Sequence, residues 1–123
     1  MAALIDGKSL SYRYKDEPKC WEDYCPKNFS EKYYGNISLI DSFKISSNIV
    51  PLKISEELTL KFIIELAHTF GLGKHQKLEE LFPLAIGAYG DSLLNITNVY
   101  SVINNNGVDI KTSIIQKIES IDG

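Results

Sequence analysis

The sequence predicts an α+β fold that is mostly α: a helical C-terminal core of three to four helices joined to an N-terminal part of loops and short strands. Three observations predict it. Residues 1–54 hold three of the four prolines and most of the aromatic residues, and their apolar runs are short and broken. From residue 55 onward, apolar side chains recur at intervals of three and four, the spacing of one helix face. The chain has 123 residues, 44% hydrophobic and 24% charged, which fits one globular domain without the help of metals or disulfides.

The N-terminal part, 1–54, contains four candidate strands: Leu10–Tyr14, Ile37–Ile40, Phe43–Ile45 and Ile49–Ile54. Pro51 confines the last to a sheet edge, because it has no N–H to give a ladder. Asp16–Lys19 and Tyr34–Asn36 read as turns. In the helical part, 55–123, Ser55 is placed to cap a helix over about 55–70. Glu56 and Glu57 in its first turn complement the helix dipole. Leu58, Phe62, Leu66 and Phe70 form its apolar face, and Gly71 stops it. A short helix is expected over about 76–82, with Pro83 opening the next. Phe82, Ile86, Tyr89, Leu93, Ile96, Tyr100 and Ile103 form a stripe spaced 4, 3, 4, 3, 4, 3, which predicts a helix over about 84–104. A second copy of the chain could pair along that stripe. Asp109 is placed to cap a last helix, about 110–121, lined by Ile110, Ile114, Ile118 and Ile121.

No phosphate loop, dinucleotide fingerprint, zinc-protease motif or nucleophile elbow occurs. The net charge of −3 and the single arginine, Arg13, argue against nucleic acid as a partner. No apolar run reaches a membrane-spanning length, and no leader pattern opens the sequence, so a cytoplasmic location is expected. Three Asn-x-Ser/Thr triplets, at Asn28, Asn36 and Asn95, then read as chance matches. Cys20 and Cys25 are open to three readings: free thiols, a disulfide in an oxidising compartment, or half of a zinc site. His68 and His75 do not stand at finger spacing from them.

The carboxylates Glu56, Glu57, Glu65 and Asp91 are the candidates for a divalent cation. Here a resemblance enters. Gly90-Asp91, Gly107-Val-Asp-Ile110 and Ile114-Ile-Gln-Lys-Ile118 resemble the C-terminal half of MazG-type nucleotide pyrophosphohydrolases, over about 35 residues. That resemblance implies an all-α Mg²⁺-dependent hydrolase, with Asp91 as a metal ligand. The family's partner acid three residues earlier is Ala88 in this chain, so the implied enzyme is degenerate. The stretches Glu65–Lys74 and Leu81–Tyr89 are similar to parts of a ribonuclease III domain, but Pro83 stands where its second catalytic acid would be.

Charge is unevenly distributed. Residues 1–36 are neutral, with six basic and six acidic side chains, whereas 55–123 carry five basic and nine acidic. An acidic half of this kind attracts basic partners. Trp21 and Tyr24 among acidic neighbours have the composition of an interface hot spot. The expected function is therefore a small acidic, non-enzymatic binding protein that sequesters a basic protein partner, as a toxin-immunity protein or antitoxin does. Its expected contacts are Asp16, Glu17, Trp21, Glu22, Asp23, Tyr24, Glu79 and Glu80. No catalytic residue, metal or cofactor is expected on this reading. The alternative is the degenerate MazG-type hydrolase.

Overall fold

The computed structural model of the chain describes residues 1–73, 77–115 and 117–120. Among these the fold is α+β and mostly α, with five helices and one two-stranded sheet. The helices are α1 (Ala2–Ile5), α2 (Leu39–Lys44), α3 (Ile49–Leu58), α4 (Leu60–Thr69) and α5 (Leu93–Asn104), and the strands are β1 (Arg13–Asp16) and β2 (Gly35–Ser38). The strands are antiparallel, with Tyr14 opposite Ile37 and Asp16 opposite Gly35. A 3-10 turn spans Phe82–Ile86.

Helix α3 is the centre of the molecule. Its Val50 and Ile54 pack with Ala3 and Tyr14, while Ile49 and Leu52 pack with Trp21 on another side. A helix buried on several faces needs apolar residues nearly all round, and Ile49-Val-Pro-Leu-Lys-Ile54 supplies them. These residues were expected as an edge strand because of Pro51. Pro51 instead lies in the first turn of α3, where a missing N–H leaves no intrahelical bond unmade.

That shift moves the next boundary as well. Ser55 is not a cap: it lies buried inside α3, with its hydroxyl bonded to the Leu52 carbonyl. The helix expected over 55–70 is broken at Thr59, whose φ is 71° and whose hydroxyl accepts from the Phe62 N–H to start α4. The long helix expected over 84–104 is also interrupted. Gly87 adopts φ 84°, residues 87–92 are non-helical, and Ser92 caps α5 by accepting from the Asn95 N–H. Local capping and glycine have overridden the apolar period, so the stripe expected to pair with a second copy is not one continuous face. The described part of the segment 76–82 holds no α-helix, and only Phe82 joins the 3-10 turn; Gln76 lies outside the described residues. Residues 110–115 and 117–120 are not helical, which removes the expected last helix as far as it is described.

Candidate functional site: the turn between α2 and α3

Helix α2 ends in two bonds. The Ser46 N–H donates to the Phe43 carbonyl at 3.1 Å, and the Ser47 N–H donates to the Ser42 carbonyl at 2.9 Å. This is the Schellman pattern, which requires a left-handed residue at its C′ position. Ser46 occupies that position with φ 55°, where glycine is the usual and less strained choice. Ser46 is exposed, whereas the neighbouring Ser47 is buried.

Ser47 caps α3. Its hydroxyl oxygen accepts from the Ile49 and Val50 N–H groups, both at 3.2 Å, and its hydroxyl proton goes to Asp16 Oδ1 at 2.8 Å. Asp16, at the end of β1, is fully buried. Its carboxylate also accepts from Asn28 Nδ2 at 3.0 and 3.1 Å and from the Tyr34 N–H at 2.9 Å. Asn28 Oδ1 in turn accepts from the Asn48 N–H at 2.9 Å, and Asn48 Nδ2 donates to the Lys27 carbonyl at 2.8 Å. Asn48 opens α3 without capping it, so its amide is directed to the 27–28 segment instead. The turn Ser46-Ser47-Asn48 is thus tied to residues 16, 27 and 28.

The segment before it is also fixed. Cys20 and Cys25 form a disulfide, resolving the three readings of that pair. Between them Trp21 and Tyr24 exchange two backbone hydrogen bonds. Trp21 is 4% exposed and packs on Ile49, Leu52 and the Phe82 ring.

The residues expected to meet a partner divide. Trp21, Glu22, Asp23 and Tyr24 line an open hollow of about 320 Å³, faced by Leu81, Phe82 and Pro83. Glu79 and Glu80 are exposed and do not line that hollow. Asp16 is internal, with its oxygens occupied by the donors above, so it is not available to a partner from solvent. Glu17 bridges Lys15 and Lys53, and those two cations, Lys15 first, hold its carboxyl below the usual range.

The candidate metal ligands do not converge. Glu56 pairs with Lys19, which lowers its pKa, while Glu57 pairs with Lys8 and accepts from the Tyr14 hydroxyl. Asp91 accepts from the Gly73 N–H at 2.8 Å and from Asn95. Among the described residues no group of three or more His, Cys, Asp or Glu side chains could hold a metal ion, and no helix is long and apolar enough to cross a membrane. The sequence reading missed Ser46, Ser47, Asn48 and Asn28. The signal that could have found the first three is that Ser46-Ser47-Asn48 is the one Ser-x-Asn triplet in the chain.

The chain is 30% identical over 121 residues to penicillin-binding protein 1A of Aquifex aeolicus, covering 98% of this chain and 16% of that protein. It is 28% identical over 128 residues to penicillin-binding protein 1A of Pseudomonas aeruginosa, covering 99% of this chain and 16% of that protein. The crystal structure of penicillin-binding protein 1A from Haemophilus influenzae superposes with a TM-score of 0.87 at 30% identity, covering 99% of this chain and 19% of that one. No family model matches the chain. The chain spans about one sixth of the length of the curated relatives it matches. These similarities run the whole length of the chain. They overturn the expectation of an immunity protein or antitoxin, with its basic protein partner, and the MazG-type alternative as well.

Proposed function

We propose that the chain forms part of a penicillin-binding domain, in which the turn Ser46-Ser47-Asn48 is one element of a β-lactam site. Sites of this kind combine an S-x-x-K, an S-D-N and a K-T-G motif. Ser46-Ser47-Asn48 has the Ser-x-Asn form of the second. The single observation that carries the reading is Ser46. It is an exposed serine at a left-handed helix C′, where glycine would cost the backbone about 1 kcal/mol less. Backbone strain of this kind clusters at functional sites. The rigid mounting of the turn, through Ser47 and Asn48, supports the same reading.

The chain's share of such a site is polar and non-nucleophilic. The Ser46 hydroxyl can give or take a proton beside a bound carbonyl, and Asn48 is two residues away at the head of α3. Neither S-x-x-K nor K-T-G occurs in the 123 residues, so the test supplies them from a relative. A Cys20–Cys25 disulfide persists in oxidising compartments, so this reading favours a location outside the cytoplasm.

The experiment is a chimera. The matching segment of the Aquifex aeolicus protein is replaced by this chain, and labelling by a fluorescent penicillin is followed in time. We expect covalent labelling that Ser46→Ala slows by about tenfold or more, a loss of at least 1.4 kcal/mol at the transition state. A folded chimera that Ser46→Ala leaves at its full labelling rate would overturn the proposal.

A further inference from the structure

We infer that the buried pair Asp16–Asn28 is the positioning device of the Ser46–Asn48 turn; the inference rests on reading that turn as part of a β-lactam site. Asp16 is 0% exposed and Asn28 is 4% exposed. Three residues donate to the one carboxylate: Ser47 through its hydroxyl, Asn28 through its side-chain amide and Tyr34 through its backbone N–H. These donors lie 31, 12 and 18 residues away in sequence. An ionised carboxylate is acceptor-only, and it makes stronger bonds than a neutral oxygen. An amide in its place would turn its –NH₂ toward the Asn28 –NH₂ whichever way round it sat, since that group lies against both carboxylate oxygens.

Asn28 passes the constraint on. Its Nδ2 also donates to the Lys32 carbonyl at 2.9 Å, while its Oδ1 holds the Asn48 N–H. Asp16 therefore grips Ser47 directly and Asn48 through Asn28, on either side of one peptide bond. Neither side chain touches Ser46. Their effect on it runs through the backbone, which fixes where the exposed hydroxyl of Ser46 and the head of α3 stand relative to each other. Site geometry loses rate when such a support is loosened, even with every reacting group present.

The test uses Asp16→Asn, Asn28→Asp and the double exchange Asp16→Asn/Asn28→Asp. The double exchange reverses which partner donates while keeping an acceptor for the Asn48 N–H. In the full chain, hydrogen exchange of the Asn48 amide is read by ¹⁵N NMR. In the chimera, non-covalent affinity for a penicillin is separated from the acylation rate constant. Asp16→Asn is expected to speed Asn48 exchange and slow acylation by about tenfold, with affinity within about twofold. The double exchange is expected to recover about fivefold of that rate, as coupled partners do. A folded Asp16→Asn variant with parental Asn48 exchange and parental acylation overturns the inference. If Ser46→Ala is without effect in the same folded chimera, the reading of the site fails instead. If the chimera does not fold, the exchange measurement decides: unchanged Asn48 protection in Asp16→Asn overturns the positioning role.

Discussion

Ser46 pays a backbone penalty that a glycine would not. Its left-handed φ of 55° satisfies the end of α2, and only a residue without Cβ takes that shape freely. Ser46→Gly is therefore expected to raise stability by up to about 1 kcal/mol, seen as a higher urea midpoint with unchanged slope. A lower midpoint would mean that the hydroxyl holds the fold and is not kept there for chemistry. Tyr14 gives a second test at this scale. Burial first, then the bond it donates to Glu57 at 3.0 Å, pushes its phenol above the ordinary 10. A raised folded pKa contributes stability that is present below the unfolded pKa and is lost as pH rises above it. Bonds to Asp6 and then Glu57 raise Lys8 in the same direction. Stability is expected to fall above about pH 10, and Tyr14→Phe to reduce that fall while costing about 1 kcal/mol at neutral pH. Equal alkaline slopes in urea titrations of the two proteins would refute the assignment to Tyr14. The sequence carries no sign of the left-handed backbone at Ser46, and it presents Asp16 as a surface contact, not as a buried anchor. The Asp16 carboxylate is set by contacts 12–31 residues away, which no local pattern encodes, whereas the Ser46 φ is set by the end of α2, where a serine stands in place of the glycine that would have signalled it.

Secondary structure was legible where one local force acted alone. The apolar period marks helical character around Leu60–Thr69 and Leu93–Asn104, whereas the division expected between residues 54 and 55 falls inside α3, with α2 wholly before it. Boundaries were not legible, because they are set by competition. Pro51 reads as part of an edge strand until it is seen to occupy the first turn of α3. Ser55 reads as a cap until Ser47, eight residues earlier, takes that role. The 82–103 stripe has a flawless spacing, yet Gly87 and the Ser92 cap divide it. The strap before α3 shows how a covalent link replaces such local signals. The Cys20–Cys25 disulfide closes a turn that delivers Trp21 to Ile49 and Leu52. Closing a loop this short restricts the unfolded chain by about 2 kcal/mol. Cys20→Ser/Cys25→Ser is expected to lose about that much stability and to red-shift the fluorescence of the single tryptophan. The parent protein in excess dithiol reductant should behave alike. An unchanged midpoint and spectrum in both would show that the turn holds Trp21 without the bond.

Among the described residues the molecule is packed unevenly. Helix α3 is sequestered, with Ile49, Val50 and Leu52 at 0% exposure. Helix α4, the 3-10 turn and α5 contain no buried residue. Apolar side chains stand in solvent along the C-terminal half, among them Leu93, Tyr100, Ile114 and Ile118, with Leu93 at 82% and Ile114 at 98%. Exposed apolar side chains in number are a feature of interaction faces, ligand grooves and aggregation-prone surface. The crystal structure on which the chain superposes belongs to a protein about five times longer. Cooperative protection should then follow burial rather than secondary structure. In hydrogen exchange of the isolated chain, the amides of α3 and of the β1–β2 pair are expected to exchange slowest, and those of α5 several orders of magnitude faster despite their helical bonds. Leu93→Lys is expected to change stability by less than about 0.5 kcal/mol while raising solubility, because Leu93 is 82% exposed. Protection of α5 equal to that of α3, together with a large loss of stability in Leu93→Lys, would mean that the helical half closes on itself and needs no further chain to cover it.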